Sequence, residues 1–219
     1  MAISFVQGNK GGIQSGPSAG VAYSSNNAAG NLLVLVCRGS GGAPAAVSVS
    51  DSQGNSWSVT TNNLWVGGNK IVMAYAPNCK AGANTVTVSI TGASFLQTKI
   101  AEYSGVLKVS PLDKSNDTNG SSTTPTSPSV TTTKNGELII GGFANATTNS
   151  ATITAGSGYT KRATTDDGNG AIEDRVQASA GAITAGWTTN PSVNWDAGIM
   201  TFFADTGVPN SLMMMGCGT

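Results

Sequence analysis

The sequence predicts an all-β protein: a single antiparallel β-sandwich of jelly-roll type with ten or more strands. Short runs of β-branched and aromatic residues recur along the chain, and Gly, Asn, Ser or Pro closes each run. The 3.6-residue period of an amphipathic helix is nearly absent. With 219 residues, 29 of them Gly, the chain has the length of one large all-β domain and many residues suited to turns.

Each predicted strand of the first half follows from a local pattern. Residues 1–7 are predicted to form a first strand, and the apolar run over 32–38 a central strand buried on both faces. Between 85 and 91, Val86, Val88 and Ile90 alternate with Thr and Ser, which predicts a half-buried strand. The other strands of this half are predicted over 47–50, 57–61, 70–76 and 98–103, with turns at 51–55 and 77–78.

The second half repeats the element order of the first. Its strands are predicted over 137–143, 151–154, 159–164, 172–178, 182–187 and 193–204. We interpret the repeat as duplication of a five-stranded unit, over about 31–104 and 136–205, joined by the polar segment 114–129. Interleaving the halves in one sandwich over 1–205 would cover edge strands that each half alone exposes.

Charge and composition exclude several classes of function. The chain has 11 Lys and Arg, 11 Asp and Glu and no His. Without His there is no Ser-His-Asp triad and no His-ligated metal site. The neutral balance argues against nucleic acid as a partner, and the chain has no apolar run of the roughly 18 residues that a membrane helix needs.

Several motifs resemble a known type of module. They are Gly30-Asn-Leu-Leu-Val34, Ser50-Asp-Ser-Gln-Gly-Asn-Ser-Trp57, Tyr75-Ala-Pro-Asn78, Glu102-Tyr-Ser-Gly-Val106, Glu137-Leu-Ile-Ile-Gly141 and Glu173-Asp-Arg175. Over residues 3–205 the chain is similar to a Gly/Ser/Thr-rich β-sandwich module of secreted proteins of environmental bacteria and of phage structural proteins. The resemblance implies the fold, and it implies carbohydrate-binding, adhesive or particle-surface roles as expectations.

The densest acidic cluster suggests a cation site. Asp166, Asp167 and Asn169 precede Glu173 and Asp174 around two glycines, and Ca²⁺ prefers such oxygen ligands. The spacing does not match an EF-hand loop, and Asp-Gly and Asn-Gly are also ordinary hairpin turns. A calcium site and a plain solvated turn both stay open for this cluster. Asp113 with Asp117 and Asn119 is a second, weaker candidate for a cation site, and no other cofactor is expected.

Two carboxylates facing one cleft would allow glycoside hydrolysis. Glu102 with Glu173 or Asp174 is the conceivable pair, since glycosidases hold two carboxyl groups roughly 5–10 Å apart. Glu102 lies in mid-strand, and the Glu173-Asp-Arg175 run can pair internally. We therefore expect no enzyme activity.

Trp65 is the candidate ligand-binding residue. It lies in Asn62-Asn-Leu-Trp-Val-Gly-Gly, predicted to be a hairpin, where an exposed Trp would mark an interface or a glycan contact. Trp57 and Tyr159 hold equivalent places in the two halves and are expected to be core residues.

The tail 206–219 is the candidate interface. Leu212, Met213, Met214 and Met215 form a short apolar run, and Cys217 follows it. Met adapts to irregular surfaces, so the run could dock on a neighbouring subunit, with Cys217 bonding there. The alternative is a last strand on the chain's own sandwich. Three cysteines, an odd number, leave at least one thiol free or paired with another chain.

The sequence thus favours a non-enzymatic structural or decoration protein of a phage particle, on the capsid surface or tail. It would act through self-association or by docking on other virion proteins. The alternative is a carbohydrate-binding or adhesion module with a surface glycan as partner. The N-terminus lacks the pattern of a secretory signal, so a virion or extracellular location without that signal is expected.

Overall fold

A computed structural model of the chain describes residues 1–40, 46–64, 69–146, 151–164 and 168–207. These residues contain 18 β-strands in antiparallel sheets and no helix, which confirms the all-β fold class. No described segment forms a helix suited to crossing a bilayer.

The strands fall into two groups along the chain. The first half contains β1 (Ser4–Lys10), β2 (Gln14–Ser15), β3 (Ser18–Ala22), β4 (Leu32–Ser40), β5 (Val47–Asp51), β6 (Ser58–Leu64), β7 (Asn69–Ala76), β8 (Thr85–Ile90) and β9 (Phe95–Ser104). The second half contains β10 (Leu112–Ser122), β11 (Val130–Thr131), β12 (Glu137–Asn145), β13 (Thr152–Ala155), β14 (Thr160–Thr164), β15 (Gly170–Gln177), β16 (Ala182–Ile183), β17 (Trp187–Asn190) and β18 (Val193–Phe202).

Each half has the strand order of a jelly roll. The large sheet of the first half runs β1-β9-β4-β7-β6, and its small sheet runs β3-β8-β5. The large sheet of the second half runs β10-β18-β12-β15-β14 in corresponding order. Its small layer consists of the pairs β11-β16 and β13-β17. The chain crosses between the two sheets of its half in the same sequence both times, as two Greek keys require.

Three apolar layers hold the sheets together. Alternate residues of β4, among them Leu33 and Leu35, pack against the small sheet of the first half. The intervening residues, including Val34 and Val36, pack against Ile140 and other residues of the second half. The outer face of the second large sheet is covered by its own small sheets. Both large sheets are therefore buried on both faces.

This layering refines the prediction of one interleaved sandwich. The described strands of the two halves stay in separate sheets, and the halves meet face to face through their large sheets. The physical reason lies in the apolar run of β4, which is buried from Leu32 to Cys37. A strand that is apolar on both faces needs a layer on each side, and only the other half supplies the second layer.

The polar segment 114–129 does not only connect the two halves; part of it forms a strand. Its first part belongs to β10, which pairs with β18 from Leu112↔Phe202 to Ser122↔Val193. An edge strand at the rim satisfies its backbone through one neighbour and needs few apolar side chains. Gly120 fits there because a Cβ atom would lie 2.7 Å from the Trp195 ring.

Candidate functional site

The two large sheets meet along two rims. At one rim, edge strand β1 of the first half lies beside edge strand β14 of the second; at the other, β6 lies beside β10. Strand order alone creates this arrangement, because β1 and β6 end one sheet while β14 and β10 end the other. Side chains far apart in sequence meet at these rims.

The β1–β14 rim opens into a cleft of about 490 Å³. We call it the seam groove and define it by the lining residues Phe5, Tyr103, Thr160, Arg162, Asp174 and Arg175. This volume lies in the range of small-ligand sites, about 300–1,000 Å³. A second cleft of about 260 Å³, lined partly by Lys10, continues past Arg162 along the same rim.

Arg162 connects the halves across the seam groove. Its Nε donates a hydrogen bond of 2.7 Å to Oδ2 of Asp174. Its guanidinium carbon lies 4.5 Å from the centre of the Phe5 ring, within range of a cation–π contact. Phe5 in turn meets Tyr103 edge to face, with 5.7 Å between ring centres. Burial and the neighbouring Asp174 carboxylate raise the pKa of Tyr103 well above its usual value.

Arg175 is a further lining residue of the groove. Its guanidinium carbon lies 5.4 Å from the centre of the Tyr159 ring, and its Nε is buried without a hydrogen-bond partner. A guanidinium fork binds carboxylates and phosphates well. The lining of the groove therefore suits a polar or acidic small ligand.

Glu102 and Glu173 do not face one cleft. Glu102 points towards the small sheet of its own half, where it accepts hydrogen bonds from Gln7, Asn27 and Asn31 side chains and the Ala28 backbone N–H, at 2.7–2.9 Å. Glu173 lies in the other half. Its Oε2 accepts a 2.9 Å bond from the Gly156 N–H.

Burial raises the pKa of Glu173 to about 8 although backbone hydrogen bonds oppose the shift. Neither this carboxyl nor that of Glu102 opens into the seam groove. The structure therefore gives the conceivable glycosidase pair no shared substrate site.

The predicted turn at 51–55 is organised by Asp51. Its carboxylate accepts hydrogen bonds from the backbone N–H groups of Gln53 and Asn55 and from the side chains of Asn55, Trp57 and Asn84. Burial alone would raise the pKa of Asp51, but these donors outweigh it and lower the pKa. Trp57 packs on the first core with its indole N–H bonded to Asp51, and Tyr159 packs on a core of the second half.

Of the predicted calcium ligands Asp166, Asp167 and Asn169, only Asn169 belongs to the described part of the chain. It is buried and lines a cavity of about 180 Å³ with Arg38 and Phe95. Asp166 and Asp167 lie outside the described residues, so the calcium site stays a prediction. Among the described residues, no three or more Cys, Asp or Glu side chains group as a metal site.

The other predicted contact residues also lie outside the described part. These are Trp65 and the tail residues Leu212, Met213, Met214, Met215 and Cys217. Cys37 and Cys79 are buried free thiols. Burial is the largest influence on both, and it raises their pKa.

Sequence reasoning missed Phe5 and Arg162 as site residues. Phe5 lies in the predicted first strand and Arg162 in a predicted strand of the second half, and neither has a local motif. Only the pairing of the two halves brings them together.

Comparison with known protein families, curated proteins and solved structures gave no match to this chain.

Proposed function

We propose that this chain is a non-enzymatic structural protein of a particle surface, of the phage capsid-decoration or tail type. It acts by self-association or by docking on a lattice, and its tail, residues 206–219, makes the contact. The observation that supports the proposal best is the pair of jelly rolls packed through their large sheets. Jelly rolls are common in viral capsid proteins.

The chemistry of the described surface fits such a role. Only 10% of the residues are charged, and several of those charges are withdrawn into the fold, including Glu102, Asp174 and Asp196. A neutral surface gives little colloidal repulsion between copies. Close packing of copies is therefore less costly than for a highly charged protein.

Sedimentation velocity of the full chain and of a 1–205 truncation tests the role of the tail. We expect the full chain to sediment as an oligomer and the truncation as a monomer, with identical far-UV circular dichroism. An oligomer that survives the truncation would contradict docking through residues 206–219.

Carbohydrate binding is the second candidate function, and the seam groove favours it. Arg162 and Arg175 both line the groove, and the Arg162 guanidinium lies over the aromatic ring of Phe5. Jelly rolls are also found in lectin domains.

A glycan array tests this candidate. We expect binding of acidic glycans by the wild-type chain and loss of that binding in Arg175→Ala, whose Nε has no hydrogen-bond partner to lose. Lys108→Ala, at an exposed position outside the groove, is the matched control and should bind as wild type. If the wild-type chain binds no glycan, or if Arg175→Ala binds as well as Lys108→Ala, the groove is excluded as the glycan site.

A further inference from the structure

Asp196 is an ionisable group in an environment that, within the described part of the chain, offers its carboxylate no hydrogen-bond donor. Its side chain is fully buried on β18, and neither carboxylate oxygen has a hydrogen-bond partner. A buried carboxylate with no partner is costly. Such a group either holds a proton or binds something that replaces the missing partners.

Two further oxygen-bearing side chains share the face of Asp196. Asn119 of β10 lies directly opposite Asp196 in the strand register, and Asp117 lies two residues before Asn119. Directly opposed residues and residues two apart project from the same face of a sheet. That face is turned towards the first half, because Met200 and Phe202 of the same strand belong to the core between the halves.

The first half contributes a buried oxygen at this rim. Thr61 belongs to β6, the edge strand beside β10, and its buried Oγ1 has no hydrogen-bond partner. It pairs with Met73, whose side chain packs on the second half, so Thr61 faces the same way. Side chains with carboxylate, amide and hydroxyl oxygens from both halves thus lie along one rim.

We propose that Asp196, Asp117 and Asn119 bind a hard divalent cation at the β6–β10 rim, with Thr61 as the ligand candidate from the first half. Oxygen donors of these types are the ligands of Ca²⁺ and Mg²⁺. Asn119 is exposed and Asp117 half-buried, so the site is open to solvent along the edge strand. The proposed ligands do not include Asp166, Asp167 or Asn169, the residues of the first predicted calcium site.

The charges around Asp196 agree with this proposal. Burial first, and then the Asp117 carboxylate, raise the pKa of Asp196 to about 8. A proton therefore neutralises the carboxyl near pH 7 when no cation is bound. The ammonium group of Lys99 lies beside Gly170, two strands away in the sheet.

Thermal unfolding of the EDTA-treated full chain at pH 7, with and without Ca²⁺ or Mg²⁺, tests the proposal. We expect at least one cation to raise the Tm of the wild-type chain, and no shift in Asp196→Asn. This variant should fold, since Asn resembles the protonated acid in shape. Asp205→Asn, away from the rim, is the control and should keep the shift.

Two results would overturn the proposal. One is the absence of a Tm shift with either cation. The other is a shift that persists in Asp196→Asn, and the double variant Asp166→Asn/Asp167→Asn would then show whether the loop binds the cation. Neither result bears on particle assembly, which sedimentation measures independently.

Discussion

Glu102 and Glu137 make equivalent contacts in the two jelly rolls, although they lie on strands that do not correspond. Asn31, directly before β4, corresponds to Glu137 at the start of β12. Glu102 on β9 corresponds to Thr201 on β18. In the first half Asn31 donates to Glu102 at 2.7 Å. In the second half the Thr201 side chain lies next to Glu137 and favours the ionised form of that carboxyl, which lowers its pKa against the larger effect of burial. The acidic residue is therefore on the outer neighbour strand β9 in the first half and on the central strand β12 in the second, and the neutral residue takes the other position.

Both carboxylates hold the loop that precedes the central strand. Glu102 accepts from the Ala28 N–H, and Glu137 accepts from the Thr133 and Lys134 N–H groups at 3.0 and 2.8 Å. A buried carboxylate thus fixes the entry to β4 and to β12. The fold conserves this interaction between its halves without conserving the residue that makes it.

Glu102→Gln should destabilise the protein strongly. Glu102 accepts four hydrogen bonds and has no exposed surface. The Gln amide keeps one acceptor oxygen and turns an NH₂ group towards buried donors, so we expect a loss of about 3 kcal/mol in unfolding free energy. Urea denaturation measures the loss. Glu173→Gln is the matched control, with an expected change below about 1 kcal/mol, because a protonated carboxyl resembles an amide. Equal midpoints for Glu102→Gln and wild type would refute the role of Glu102.

Stability should fall as the pH rises from about 4.5 to 8. The pKa values of Glu173 and Asp196 are each raised to about 8 in the folded protein, against ordinary values near 4 in the unfolded chain. Between these values the folded state binds more protons than the unfolded state, so each rise in pH favours unfolding. Each group contributes a slope of about 1.4 kcal/mol per pH unit.

Urea denaturation of cation-free protein between pH 5 and 9 tests this linkage. Asp196→Asn should reduce the slope by about half, and the remaining slope should disappear above about pH 8. Asp51 acts in the opposite direction, since its pKa is lowered. Its contribution is lost only as the pH falls below about 4. A wild-type stability that is constant from pH 5 to 8 would contradict the raised pKa values.

Gly198→Ala should loosen the contact between the halves. Gly142 and Gly198 lie opposite each other on β12 and β18, and Met73 of the first half packs over both. A Cβ at Gly142 would lie 2.8 Å from Met73 Sδ, and one at Gly198 would lie closer still. Overpacking of this kind costs about 1–3 kcal/mol.

Calorimetry with the double variant isolates the Met73 contact. Gly198→Ala should cost less in a Met73→Ala background, because the methyl group then enters the space that Met73 vacates. Gly12→Ala is the control, since no atom lies within 4 Å of a Cβ there. An additive double variant would mean that Met73 is not the source of the strain.

Arg162→Ala should lower the free energy of unfolding by about 2 kcal/mol, because it weakens the contact between the halves at the seam groove. The change leaves the Asp174 carboxylate, only 6% exposed, without its guanidinium partner. Arg162→Lys should recover part of this loss, since it keeps the charge but not the planar contact with Phe5. Thermal melts of the wild type, Arg162→Ala and Arg162→Lys at low and high salt measure these differences, and the Tm of Arg162→Lys should lie between the other two. Arg162→Ala with wild-type Tm would show that the ion pair adds nothing to the contact.

The sequence predicted the elements that depend on local patterns. The apolar run at 32–38 lies in β4, the alternation at 85–91 corresponds to β8, and Asn78, with a left-handed φ of 52°, follows the end of β7. The polar strand β10 was missed because its pairing with β18 creates it, with little contribution from apolar side chains. The seam groove depends on contacts between the halves, which no local pattern encodes. At the Asp196 rim the sequence indicated Asp117 and Asn119 but not Asp196, which only the pairing of β10 with β18 brings to the same face.

The mass of the full-length chain in solution tests the proposed structural role most directly. Light scattering during size-exclusion chromatography should give a mass of at least twice the 21.9 kDa chain mass, at an integer multiple of it. The multiple should hold on tenfold dilution. A mass of 21.9 kDa at every concentration would contradict self-association, and the role would then depend on docking to other proteins.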